Sequence, residues 1–314
     1  MTKYIQSIID NCLLNTCTDM GNARSDMALA LLLLSSQSPK LVKKARRIFR
    51  QEQKKLSSSS NWDDKLKILF HIGFLKNEGI QTKDIAENVS SYMQNVHYTI
   101  KYSLIQDDTK SPYLAHLLFH FIIPPLYGIR IDNEEETVLL RIGKHLHQKV
   151  TENDTFITIP FTNLYQLYLT AAILNNCTEA INAAIQDVIS LYKSCKLQMS
   201  YPMSALISYN LKTKGKSFVQ DRSMSFFKFY NILGIRDMTN YILGELICND
   251  INLTRKFMSD EFLTEEHLTN LISNDKNRFS LHTGLARILL TYILASHTID
   301  KKNTKNLAMI LMVL

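Results

Sequence analysis

Apolar residues at Ile85, Val89, Tyr92, Met93 and Val96 recur at near-helical spacing, which predicts an amphipathic helix over residues 85–98. Thr82, Lys83 and Asp84 supply its polar start. The same alternation of apolar faces and polar breaks continues along the chain. It predicts helices over residues 41–56, 65–76, 114–123, 134–150, 163–174, 178–193 and 202–212, and further ones over 226–247, 265–272, 280–296 and 304–313. Residues 2–36 read as two helices broken near 18–21, for a total of about fourteen helices. The breaks have recognisable chemistry. Ser57 to Ser60 is a polar run, Asn61-Trp62-Asp63-Asp64 is a capping-type start, Asn77-Glu78-Gly79 is a turn, and Pro124-Pro125 stops the apolar run before it. One stretch, residues 155–160 (TFITIP), reads as a short strand or equally well as an extended loop.

Helices of this length joined by short turns predict an all-α protein of stacked antiparallel hairpins. Closed, such a stack is an α/α toroid; open, it is a solenoid. No strict repeat period separates the two. Composition agrees with helix: only 9 Gly and 6 Pro occur in 314 residues, too few to turn a many-stranded fold. At 46% apolar residues the chain can bury a substantial core.

Charge and cysteine usage narrow the setting. The net charge of +7 comes from 36 basic and 29 acidic residues that are mostly dispersed. One cluster stands out at residues 40–55 (KLVKKARRIFRQEQKK), where Phe49 is the sole aromatic; this predicts a solvated basic helix face, with an acidic peptide as the alternative contact and no nucleic-acid partner. Five cysteines without a CxxC pair point to reduced thiols in the cytoplasm. The apolar runs 27–34 and 307–314 are each far shorter than the ~20 residues that cross a bilayer, so no membrane insertion is expected. The opening residues lack the continuous apolar core of a signal peptide. His116 and His120 share a helix face at i, i+4 but lack the glutamate of a zincin motif, and His145 and His147 do not share a face. Phosphate loops, GxSxG and paired-carboxylate motifs are absent from the sequence.

Several stretches, in order, resemble the lanthionine synthetase C-like (LanC-like) family. Residues 72–85 (IGFLKNEGIQTKDI) look like its second helical segment. Residues 198–208 (QMSYPMSALIS) resemble the G-L-S-H-G-M-S-G-type helix start. Arg222 opens a stretch similar to R-x-x-W-C-Y-G-x-x-G-I, whose end matches Leu233-Gly234-Ile235. Residues 280–290 (SLHTGLARILL) resemble the last G-x-A-G-I helix start, and residues 307–314 the closing apolar segment. The resemblance implies one toroid domain over residues 1–314, with Pro202 and Gly284 near the starts of inner helices. It also implies a role in lanthipeptide biosynthesis, with a precursor peptide or a dehydratase as partner.

In that family a zinc ion on two cysteines and a histidine activates a peptide thiol. The thiolate adds to a dehydroamino acid and closes a thioether ring. This chain departs from the pattern at the ligands. Tyr201 stands at the histidine position, and the flanking glycines are Pro202 and Ala205. The cysteine position falls on Phe226, or on Phe229 in a second alignment that matches Tyr230 to the family tyrosine; the Cys-His-Gly motif is missing. Arg222 is retained in kind. The resemblance, with these departures, implies a peptide-binding pseudoenzyme without a zinc cofactor. A relocated metal site would have to draw on Cys248, His267 and His282, which have no fixed ligand spacing. An active cyclase using such a site, and an unrelated helical-repeat interaction module, are the alternatives.

Overall fold

The computed structural model describes residues 39–58, 62–77, 83–102, 111–152, 159–197, 199–215, 235–248, 285–296 and 302–314. These residues form eleven α-helices and one 3-10 turn, with no strand among them. The helices are α1 (Pro39–Ser58), α2 (Trp62–Asn77), α3 (Lys83–Tyr102), α4 (Ser111–Ile122), α5 (Asn133–Glu152) and α6 (Ile159–Leu174), followed by α7 (Thr178–Lys193), α8 (Tyr201–Thr213), α9 (Ile235–Ile247), α10 (Leu285–Ser296) and α11 (Lys302–Val313). The 3-10 turn, Pro124–Tyr127, follows α4.

The strand alternative at residues 155–160 does not hold where the structure describes it. Ile159 and Pro160 already belong to α6, and residues 155–158 lie outside the described residues. Proline is tolerated there because a first-turn N–H has no ladder bond to lose. The expected helices over 2–36 and 265–272 also fall outside, and of the helix expected over 226–247 the described part is α9.

The core is organised on α6. Every residue from Leu164 to Leu174 is buried, as expected of a helix that is apolar all round. It packs against α4, α5, α7, α8 and α11. Its polar residues are bonded locally or across helices: Thr170 donates to the Gln166 carbonyl at 2.9 Å, and the Gln166 amide reaches the Met312 carbonyl at 3.5 Å. The last helix therefore returns to the middle of the chain. The run 307–313 is buried throughout, in keeping with its reading as a core segment. No helix among the described residues is long and apolar enough to cross a membrane.

Consecutive pairs α1/α2, α6/α7, α8/α9 and α10/α11 are in contact. The α6–α7 turn closes with Asn176 in the left-handed region (φ 58°), where asparagine is among the better-tolerated residues; the Cys177 amide then reaches the Ala172 carbonyl at 3.0 Å. In α1 the basic cluster divides by face. Ala45 and Phe49 are buried, while Lys43, Arg46, Arg47, Arg50 and Lys54 are exposed. The one aromatic of the cluster thus packs inward, 6.2 Å from the His71 ring, and is not part of the basic face.

Candidate functional site

Of the family-matched positions, Tyr201 is described; Arg222, Phe226 and Tyr230 lie outside the described residues, as do His267, His282 and Gly284. Tyr201 opens α8. Ser200 caps the helix in an extended conformation and its hydroxyl accepts the Met203 amide at 3.3 Å. Pro202 then occupies the first turn of α8.

The Tyr201 side chain is directed across the seam between α8 and α9. Its ring stacks on Tyr241, with centroids 4.4 Å apart and planes 28° apart. Its hydroxyl donates to the Glu245 carboxylate, which is 3% exposed. Gly244 makes the close approach possible: a Cβ there would sit 2.7 Å from Tyr201 Cε1 and 3.0 Å from Ala205 Cβ. The phenol is thus packed and hydrogen-bonded within the protein.

Cys248 lies at the far end of the same seam. It is half-buried, its thiol is 3.6 Å from the Ala205 carbonyl, and its own carbonyl accepts Lys212 Nζ at 3.3 Å. Among the described residues no group of three or more histidine, cysteine, aspartate or glutamate side chains is arranged to hold a metal ion.

The stretch at 280–290 contributes Arg287, to which the sequence assigned no role. It is fully buried on α10, with Nε donating to Thr239 at 2.8 Å and the guanidinium to the Asn240 carbonyl oxygen at 2.6 Å, both on α9. Burial lowers its pKa to about 9, and the nearby Arg236 charge acts in the same direction. A lone arginine in sequence is expected at the surface, so its burial was not legible there.

The histidine pairs resolve differently. On α4 the His116 and His120 rings lie 5.0 Å apart, as their spacing required, and His120 is fully buried with Nδ1 donating to the His116 carbonyl at 2.9 Å. His147 is exposed and meets the Asp187 carboxylate of α7 at 2.8 Å.

Sequence reasoning missed a cleft between α2, α3 and the 3-10 turn, with a volume of about 410 Å³. Buried Ile72, Val89 and Met93 line it together with Tyr127 and His97. His97 is held in place from α5. Its Nδ1 stands 2.5 Å from Glu135 Oε1, and the other oxygen of that fully buried carboxylate accepts the Asp132 amide at 2.9 Å. Asp132 in turn accepts the amides of Glu134 and Glu135 at 3.1 and 3.0 Å, completing a capping box. The run Asp132-Asn133-Glu134-Glu135 carries that capping signature in sequence; its partner His97, 38 residues away, does not. Tyr127 is fixed by donation to the Leu69 carbonyl at 2.5 Å, and burial raises its pKa.

No protein-family model, no curated protein and no solved structure matches this chain.

Proposed function

We propose that this chain is a LanC-like helical protein that binds a precursor peptide or its dehydratase, and that its zinc-dependent cyclase chemistry has been lost. The observation that carries the reading is the environment of Tyr201. At the position where the resemblance calls for a zinc-binding histidine, a phenol is stacked on Tyr241, packed over Gly244 and donated to buried Glu245. A phenol in that setting serves packing. It is also a weak proton shuttle near neutral pH, because an unperturbed tyrosine titrates at about 10. Without a metal-activated thiolate, a peptide cysteine with a pKa of about 8.5 is only slightly ionised near neutral pH.

The return of α11 onto α6 supports the closed, toroid-like arrangement over an open solenoid, in which each repeat touches only its neighbours. The basic face of α1 offers a contact for an acidic leader segment.

The test combines metal analysis of the purified protein with incubation against a dehydrated precursor peptide, followed by thiol alkylation and mass spectrometry. Peptide binding without ring closure, from protein without stoichiometric zinc, is the expected result. Rapid, chelator-sensitive loss of alkylatable cysteine would overturn the reading in favour of an active cyclase with a relocated metal site. Neither binding nor closure would favour a helical interaction module unrelated to peptide cyclisation.

A further inference from the structure

The cleft between α2, α3 and the 3-10 turn has a division of chemistry that selects a ligand class. Its buried lining is apolar, formed by Ile72, Val89 and Met93. Its outer lining is polar and exposed: Lys76 from the end of α2, and Ser90 and Gln94 from α3. Among the described residues no carboxylate lines it. Among the described residues, the acidic groups beside His97 and at the start of α5 are already engaged. Glu135 is held by His97 and the Asp132 amide, while Asp132 and Glu134 pair with Lys101 at 2.5 and 3.3 Å. Among the described lining residues Lys76 is therefore the one charge of fixed sign, and its ammonium sits 5.7 Å over the Tyr127 ring.

The polar side chains around it are available to a ligand. Among the described residues Ser90 and Gln94 make no side-chain hydrogen bond, and His97 bonds through Nδ1 and not through Nε2. The ring cannot turn away cheaply, because Glu135 that orients it is itself fixed by the capping box. A preformed apolar cavity with one cation and a few convergent polar groups is the usual form of a small-molecule site. Its volume lies at the lower end of the ~300–1,000 Å³ range of such sites.

We infer that this cleft binds a compact monocarboxylate with an apolar body, the carboxylate held at Lys76 with the His97, Gln94 and Ser90 groups, and the body on Ile72, Val89 and Met93. A free aliphatic acid and the C-terminal carboxylate of a peptide ending in an apolar residue share this chemistry. The inference does not depend on the cyclase-related reading, because Tyr201, which carries that reading, and its partners Tyr241, Gly244 and Glu245 do not line the cleft.

Ligand-observed NMR with the full chain tests it, using octanoate, its neutral isostere octanamide, and a leucine-terminated tripeptide with a free or an amidated C-terminus. Octanoate should bind about tenfold more tightly than octanamide, the effect of one charge-assisted contact worth about 1.4 kcal/mol. Lys76→Gln should erase that preference and leave octanamide unchanged. Ser90→Trp, at an exposed position that leaves the core intact, should fill the cleft and reduce binding of both. Tighter binding of the free-acid tripeptide than of octanoate would identify a chain terminus as the source, and weaker binding a free acid. Equal affinity for octanoate and octanamide, insensitivity to both substitutions in folded protein, or no binding of any of these probes would overturn the inference.

Discussion

Acid should weaken this fold through His120. Its side chain is enclosed on α4, and burial lowers its pKa from 6.5 to about 4; the Nδ1 bond to the His116 carbonyl opposes the shift and the nearby His116 ring adds to it. The unfolded chain thus holds this proton more tightly than the folded one. Stability is fully present above the unfolded value and is lost as pH falls from 6.5 through about 4. For one such group the loss between about pH 7 and about pH 5 comes to about 2 kcal/mol. Urea unfolding followed by circular dichroism at the two pH values measures it, provided the transition is a single cooperative step. His120→Leu removes the titration while keeping an apolar side chain of similar size. Its intrinsic stability can differ from that of the parent, so the informative quantity is the change with pH within each protein. The parent should lose about 2 kcal/mol more than the variant over this interval. An identical loss in both would show that His120 takes up its proton as easily folded as unfolded, and would refute the argument from burial.

Three further outcomes follow from the packing. Gly143→Ala places a Cβ on the Tyr168 hydroxyl and 2.6 Å from its Cζ; the strain should outweigh the ~1 kcal/mol gain in helix propensity and cost about 1–2 kcal/mol net. In a Tyr168→Leu background the same substitution should become stabilising, and a stabilising effect in the parent itself would count against the close α5–α6 approach. Tyr201→Phe removes the donor to buried Glu245 and should cost about 1–3 kcal/mol in denaturant unfolding, whereas a change within about 0.5 kcal/mol would mean the contact carries no net stability. Burial pushes the Cys177 thiol to about 12, with Glu136 adding to the shift, while Cys195 is exposed, so brief alkylation with iodoacetamide and peptide mapping should label Cys195 and spare Cys177 until the chain unfolds. Equal labelling of the two in folded protein would contradict the buried placement.

The pattern of apolar positions was enough to recover helix type across the described chain. The helix expected over 178–193 coincides with α7, and those expected over 134–150 and 202–212 are extended by a residue or two at each end in α5 and α8. Helical periodicity and capping are local properties, written in neighbouring residues, so the sequence alone determines them well. Where a signal served two readings, tertiary packing decided. Ile159 and Pro160 at the end of TFITIP start α6, because the helix that follows is buried on every side and proline is compatible with its first turn.

The candidate sites depended still more on contacts distant in sequence. That Tyr201 stands where the resemblance expects a histidine could be read from the sequence; that its hydroxyl meets Glu245, 44 residues on, could not. Similarly, Asp132-Asn133-Glu134-Glu135 announces a helix start, yet nothing local says that Glu135 also orients His97 from α3. Arg287 reads as an ordinary arginine until α9 brings Thr239 and Asn240 against it. Sequence determined which segments are helical and which faces are apolar, because those depend on residues within a few positions of one another. Only the tertiary structure decided which polar groups are buried together and where a cleft remains, because both depend on how helices far apart in the chain pack.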